Sequence, residues 1–138
     1  MTEAQRLIAE AATAARQSYS PYSNYRVGAV VVASDGVEYR GSNVENAAYG
    51  ASICAEANAI TNAAAQGVRA IDTVAVTCLD GEACSPCGNC RQIMREFKVR
   101  RVILTDESGD PVVYGLDDLL PRSFGPEDLE QHVARTDY

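Results

Sequence analysis

Cys84-Ser85-Pro86-Cys87-Gly88-Asn89-Cys90 crowds three of the chain's five cysteines into one short segment, and Cys54-Ala55-Glu56 stands well upstream of it. Each piece opens a stretch of helical character. After Cys54 an alanine-rich run with Ile60 on one side continues to Gln66 and meets Gly67 where a helix C-terminus favours glycine; after Cys87, Ile93, Met94 and Phe97 recur at helical spacing. A thiolate at a helix N-terminus is stabilised by free backbone N–H groups and the positive end of the macrodipole, which readies it for a metal. Cys87 and Cys90 are i, i+3 neighbours on one face, so their sulfurs converge on one ion, and Cys54 completes the set if the two helix starts abut. Three protein ligands leave one corner of a zinc tetrahedron for water, the open arrangement of a catalytic site. Glu56 then reaches over that corner, able to accept the water's proton and return it to a substrate nitrogen.

The remaining cysteines are read against this core. A lone C-x-x-C reads as a structural metal knuckle or a redox pair, and Pro86, Cys54 and Glu56 turn the reading toward metal-assisted chemistry. Cys84 is either a bystander or a fourth thiolate that would close the site, and the bystander reading is preferred because catalysis needs the water. Cys78 sits in a strand pattern as a small core residue. His132 is the only histidine and lies near the C-terminus, which disfavours a Ser-His-Asp triad or a histidine-ligated centre; with Glu127, Asp128 and Glu130 it is expected on the surface.

Outward from the cysteines, Thr2 caps a helix whose Leu7, Ile8, Ala11, Ala12 and Ala15 follow helical spacing until Ser20-Pro21. Residues 27–33 and 37–40 flank Ser34-Asp35-Gly36 as a β-hairpin, and residues 42–46 form a loop. Strands follow at 71–79, 101–105 and 111–114, with a short helix at 116–120. The order α, β, β, α, β, α, β, β, α predicts an α/β fold with one mixed five-stranded sheet, helices on its faces, and a single domain over residues 1–138.

Composition excludes several classes. Hydrophobic residues at 46% and charged residues at 22% describe a globular chain, not a disordered one. Twelve Lys and Arg against nineteen Asp and Glu give a net charge of −7 and no basic run, which argues against a polynucleotide partner and leaves small uncharged substrates open. No stretch is apolar enough for a membrane span or a signal-peptide core, and an odd number of cysteines suits a reducing compartment, so a cytoplasmic location is expected.

Cys54-Ala55-Glu56 with Ser85-Pro86-Cys87-Gly88-Asn89-Cys90-Arg91-Gln92 resembles the zinc signature of the homotetrameric cytidine deaminases. The likeness extends to Ser20-Pro21-Tyr22-Ser23, Val27-Gly28-Ala29, residues 41–49, and Leu119-Leu120-Pro121 with Phe124-Gly125. It implies a cytidine-deaminase-like three-layer α/β/α sandwich, one Zn²⁺ per subunit on Cys54, Cys87 and Cys90, and hydrolytic deamination with Glu56 as proton shuttle. It further implies Asn43 and Glu45 at the ribose hydroxyls, the Ala55 N–H at the pyrimidine O2, and the Ser85 carbonyl near the departing amine. Tyr25 stands where the family usually has Phe beside the base. Phe124 matches a C-terminal aromatic that reaches a neighbouring subunit's site, and Tyr49 with Ala47 approaches the 5′-hydroxyl across a subunit boundary, so the resemblance implies a tetramer with shared sites.

Many relatives carry Arg directly after the Cys-Ala-Glu triplet, whereas this chain has Ala57, leaving helix dipoles and Arg91 to offset three thiolates around Zn²⁺. The expected reaction is conversion of cytidine and 2′-deoxycytidine to uridine and 2′-deoxyuridine in pyrimidine salvage. A modified cytosine nucleoside or a nucleoside antibiotic such as blasticidin S is the alternative substrate, and a non-catalytic structural zinc module is the alternative of another class.

Overall fold

Alternation along three strands sorts their side chains onto two faces, as the period of two demands. In a computed structural model that describes residues 1–81 and 83–130, these strands are β1 (Val27–Ala33), β3 (Ile71–Cys78) and β4 (Arg101–Thr105). Val30, Ala75 and Ile103 face one side, where they meet Leu7 and Ala11 of α1 (Glu3–Ala15). Ala29, Val31, Val74, Val76, Val102 and Leu104 face the other side. There they meet Ala59 and Ile60 of α2 (Ala55–Ala65) and Met94 of α3 (Gly88–Glu96). The result is the expected α/β/α sandwich.

With β2 (Glu38–Ser42) and β5 (Pro111–Gly115), the sheet has the order β2-β1-β3-β4-β5. Only β3 and β4 run parallel, joined across the sheet by α3; the other pairings are antiparallel. Thr2 caps α1 in a reciprocal pair with Gln5, at 3.1 Å from the Gln5 N–H and with its own N–H 2.8 Å from Gln5 Oε1.

The sequence reading placed the second strand at 37–40, whereas β2 begins at Glu38 and continues to Ser42 because the ladder with β1 extends to Gly28 opposite Ser42. The short helix α4 spans Leu116–Leu119. Two elements were not expected: a 3-10 turn at Tyr49–Ala51 and the helical turn α5 at Glu127–Glu130. Glu127 is exposed and pairs with Arg95, and Asp128 Oδ2 accepts from the Gly125 N–H at 2.8 Å. His132 lies outside the described residues.

Gly41 lets α2 lie against the sheet. A Cβ there would sit 2.3 Å from the Ala59 nitrogen and 2.7 Å from the Ala55 carbonyl oxygen, so only glycine permits this approach. Asn58 Nδ2 donates to the Ser42 carbonyl at 2.8 Å and fixes the helix along that strand. The first turn of α2 is thereby set relative to the sheet.

Candidate active site

The parallel β3–β4 pair decides where the site forms. The chain leaves the C-terminal end of β3 at Cys78 and enters α3 at Gly88, and crevices beyond the carboxyl ends of parallel strands are the usual ligand positions in open α/β sheets. Cys54 is the N-cap of α2 and Cys87 the N-cap of α3, as the sequence led us to expect. The two helix starts abut, with the Cys54 and Cys87 sulfurs 4.0 Å apart. The sulfurs of Cys54, Cys87 and Cys90 all lie within 4.8 Å of one another.

These residues fit zinc. Tetrahedral coordination at a Zn–S bond of about 2.3 Å separates ligand sulfurs by about 3.8 Å, so the cluster needs only a small contraction to close on the ion. Cys90 is buried, Cys54 half-buried and Cys87 exposed, and all three are free thiols. Among the described residues no fourth cysteine, histidine or carboxylate joins the group. Cys84, the one sequence candidate for closing the site, lies on the cavity wall outside the three-sulfur group.

Electrostatics distinguish the three sulfurs. Burial alone would raise the Cys87 thiol, but the Cys90 N–H, which donates to it at 3.4 Å, and the neighbouring sulfurs of Cys90 and Cys54 outweigh it, and the net shift is downward. Burial raises Cys54 and Cys90. Glu56 is only 5% exposed, and burial pushes its carboxyl above the ordinary carboxylate value. A raised carboxyl beside a metal-binding cluster is the feature that marks a proton-transferring group.

The cluster opens into a cavity of about 530 Å³ lined by Tyr25, Asn43, Glu45, Ala55, Glu56 and Ser85 together with Cys54 and Cys87. Ala55 is the first residue of α2, so its N–H has no intrahelical acceptor, and the residue lines the cavity wall. Asn43 is largely committed to the protein: Oδ1 accepts from Ser18 Oγ at 2.6 Å and the Val27 N–H at 2.9 Å, while Nδ2 donates to the Tyr25 carbonyl at 2.8 Å. These bonds fix the amide orientation and leave one N–H to offer. Glu45 accepts from the Tyr22 and Ser23 N–H groups at 2.9 and 3.1 Å and from the Ser23 hydroxyl. The hydroxyl bond leads in holding its carboxyl below the usual value.

Tyr25 turns its hydroxyl into the wall, where it donates to Cys78 Sγ at 3.2 Å. Cys78, expected as a core residue, is a half-buried acceptor for that hydroxyl. The cavity does not gather every sequence candidate. Tyr49 borders a neighbouring hollow with Tyr22 and Ser52 that shares Ser23 and Glu45 with the main cavity, Ala47 is exposed in the preceding loop, and Phe124 is 57% exposed. Ala57 is buried in the core, so the position after Glu56 brings no cation to the sulfurs. Sequence reasoning gave no role to Ser18 or Ser23. Ser23 lies in the quoted Ser20-Pro21-Tyr22-Ser23 motif, but nothing local signals that Ser18 meets Asn43.

The family model for the cytidine and deoxycytidylate deaminase zinc-binding region matches residues 1–106. A cytidine deaminase of Sporosarcina psychrophila is 42% identical over 129 residues, covering 92% of this chain and 95% of its own. One from Mycobacterium tuberculosis is 37% identical over 125 residues, covering 89% and 90%. The crystal structure of cytidine deaminase from Burkholderia pseudomallei superposes with a TM-score of 0.82 at 42% identity, covering 90% of this chain and all of that one. Matched from its first helix through both cysteine pieces, the chain belongs to the cytidine and deoxycytidylate deaminase family.

Proposed function

We propose that the protein is a zinc-dependent hydrolase that converts cytidine and 2′-deoxycytidine to uridine and 2′-deoxyuridine with release of ammonia. The observation that carries this reading is the convergence of three sulfurs from two helix starts, within 4.8 Å, beside the buried Glu56. Cys54, Cys87 and Cys90 would hold the zinc ion, which would supply Lewis-acid activation of water.

The chain's own residues do the rest. Glu56 accepts a proton from the water that adds at C4 and delivers it to pyrimidine N3; it then moves the remaining hydroxyl proton to the amino group as the C4–N4 bond breaks. Water in, ammonia out, and a proton left on N3 balance the reaction. The Ala55 N–H donates to O2, and the Ser85 carbonyl accepts from the departing amine. With its oxygen already occupied, Asn43 offers only a donor to the ribose, while ionised Glu45 offers only acceptors, a complementary pair for sugar hydroxyls. Tyr25 walls the base.

The reading includes one domain over residues 1–138, a cytoplasmic location and a homotetramer in which Phe124, Ala47 and Tyr49 approach a neighbouring subunit's cavity. The exposure of Phe124 and Tyr49 supports the last of these. Among the described residues no helix is long and apolar enough to cross a membrane.

The decisive experiment follows ultraviolet absorbance of a panel of plain and modified cytosine nucleosides with zinc-quantified protein, wild type beside Glu56→Gln. The proposal expects turnover of cytidine and deoxycytidine, and retention of zinc with a roughly 10²–10⁴-fold loss of kcat in the variant. A zinc-loaded wild type inert toward the whole panel would leave a structural zinc module instead.

A further inference from the structure

We propose that Arg91 is a positioning residue that sets the zinc knuckle by bracketing two carbonyl groups. Its Nε lies 2.8 Å from the Pro86 carbonyl oxygen and its Nη1 2.6 Å from that of Leu119. None of the ion pairs among the described residues involves Arg91, so its fork is spent on backbone oxygens.

The choice of carbonyl matters because of what Pro86 is. A proline ring locks φ and removes the N–H, so ψ is its one soft main-chain torsion and the carbonyl its one backbone hydrogen-bonding group. Holding that oxygen fixes ψ, and ψ of Pro86 determines where Cys87 begins α3 and where the Cys87 sulfur stands relative to Cys54. The same peptide chain fixes Ser85 at the cavity wall. Leu119 ends α4, and from there the chain runs to Phe124, whose carbonyl accepts from Gln92 Nε2 at 2.8 Å, while Arg95 Nε donates to Ser123 Oγ at 2.9 Å. Helix α3 thus presents two sulfur positions at its start and uses Arg91, Gln92 and Arg95 to hold residues 119–124. Arg91 alone joins both functions.

The inference rests on the reading of Cys54, Cys87 and Cys90 as zinc ligands. A lysine at position 91 keeps the charge but is a point donor without the planar fork, so it cannot span both oxygens as a guanidinium does. The test measures transfer of zinc from the full-length loaded protein to a chromophoric chelator for wild type, Arg91→Lys and Arg91→Ala. A core variant remote from the site, Ile103→Val, serves as the stability control, with urea midpoints measured for all.

The proposal expects both Arg91 variants to release zinc about 10- to 100-fold faster than wild type. It further expects millimolar guanidinium ion, but not ethylammonium, to slow release from Arg91→Ala, and Ile103→Val to release zinc at the wild-type rate. Wild-type release from Arg91→Lys would overturn it, since charge alone would then suffice. Release from Ile103→Val as fast as from the Arg91 variants would also overturn it, by tracing the effect to global stability. A wild type that binds no zinc would overturn the ligand reading itself, and this inference with it.

Discussion

Glu56 illustrates how function and stability oppose each other at a single residue. Its carboxyl is almost wholly buried, and burial raises its pKa above the unfolded value. For an acid shifted upward, the folded state binds more protons than the unfolded state, so stability falls as pH rises through the unfolded value toward the folded one. Metal-free Glu56→Gln should therefore unfold at higher urea than metal-free wild type at pH 7, with the gap shrinking as pH falls from the raised folded value toward the ordinary glutamate value and closed below it. Equal midpoints at pH 7 would show that the carboxylate carries no burial penalty.

Residue identity made Cys54, Glu56, Cys87 and Cys90 legible, because each stands at a helix start that local pattern reveals. Asn43 was legible only as a loop residue of a familiar motif. Its three protein hydrogen bonds reach Ser18, Val27 and Tyr25, partners that no local pattern connects.

At the scale of elements, the first helix was readable where a cap at Thr2 and helical spacing agreed, and the helices after Cys54 and Cys87 from composition and spacing alone. The unexpected helical turn at Glu127–Glu130 has a different origin: its support comes from Arg95 of α3 and the Asp128 bond to Gly125, both outside any apolar period. Gly41 was quoted as part of a motif without a reason, and the reason is three-dimensional. Gly41→Ala would drive a methyl group into the backbone of α2, the helix that delivers Cys54 and Glu56. The expected outcome is a loss of about 1–3 kcal/mol or more, seen as a lower urea midpoint, together with less than one zinc per chain. A variant with full zinc and an unchanged midpoint would show that α2 can retreat without disturbing the site.

For the whole molecule, the mixed sheet with helices on its faces followed from the order of elements and the three-layer sandwich from the family resemblance, but the arrangement of the surface followed from neither. Tyr19, Tyr22, Val44, Tyr49 and Ile53 are all substantially exposed, and Tyr22 and Tyr49 meet edge to face with ring centres 5.8 Å apart. Main-chain bridges join Tyr19 to Val44 and Val44 to Ile53, so these apolar groups form one neighbourhood beside Glu45. Such a patch suits contact between subunits. The proposed tetramer predicts sedimentation at four times the 14.8 kDa chain mass, and loss of activity in step with dissociation on dilution; full activity in a sedimenting monomer would contradict shared sites.

The central claim is that three sulfurs bind one zinc and leave a corner open. X-ray absorption at the zinc edge of the loaded protein tests it most directly. The account predicts three sulfur scatterers at about 2.3 Å and one lighter oxygen or nitrogen neighbour. Four sulfur scatterers, with Cys84 drawn in as the fourth, would contradict it.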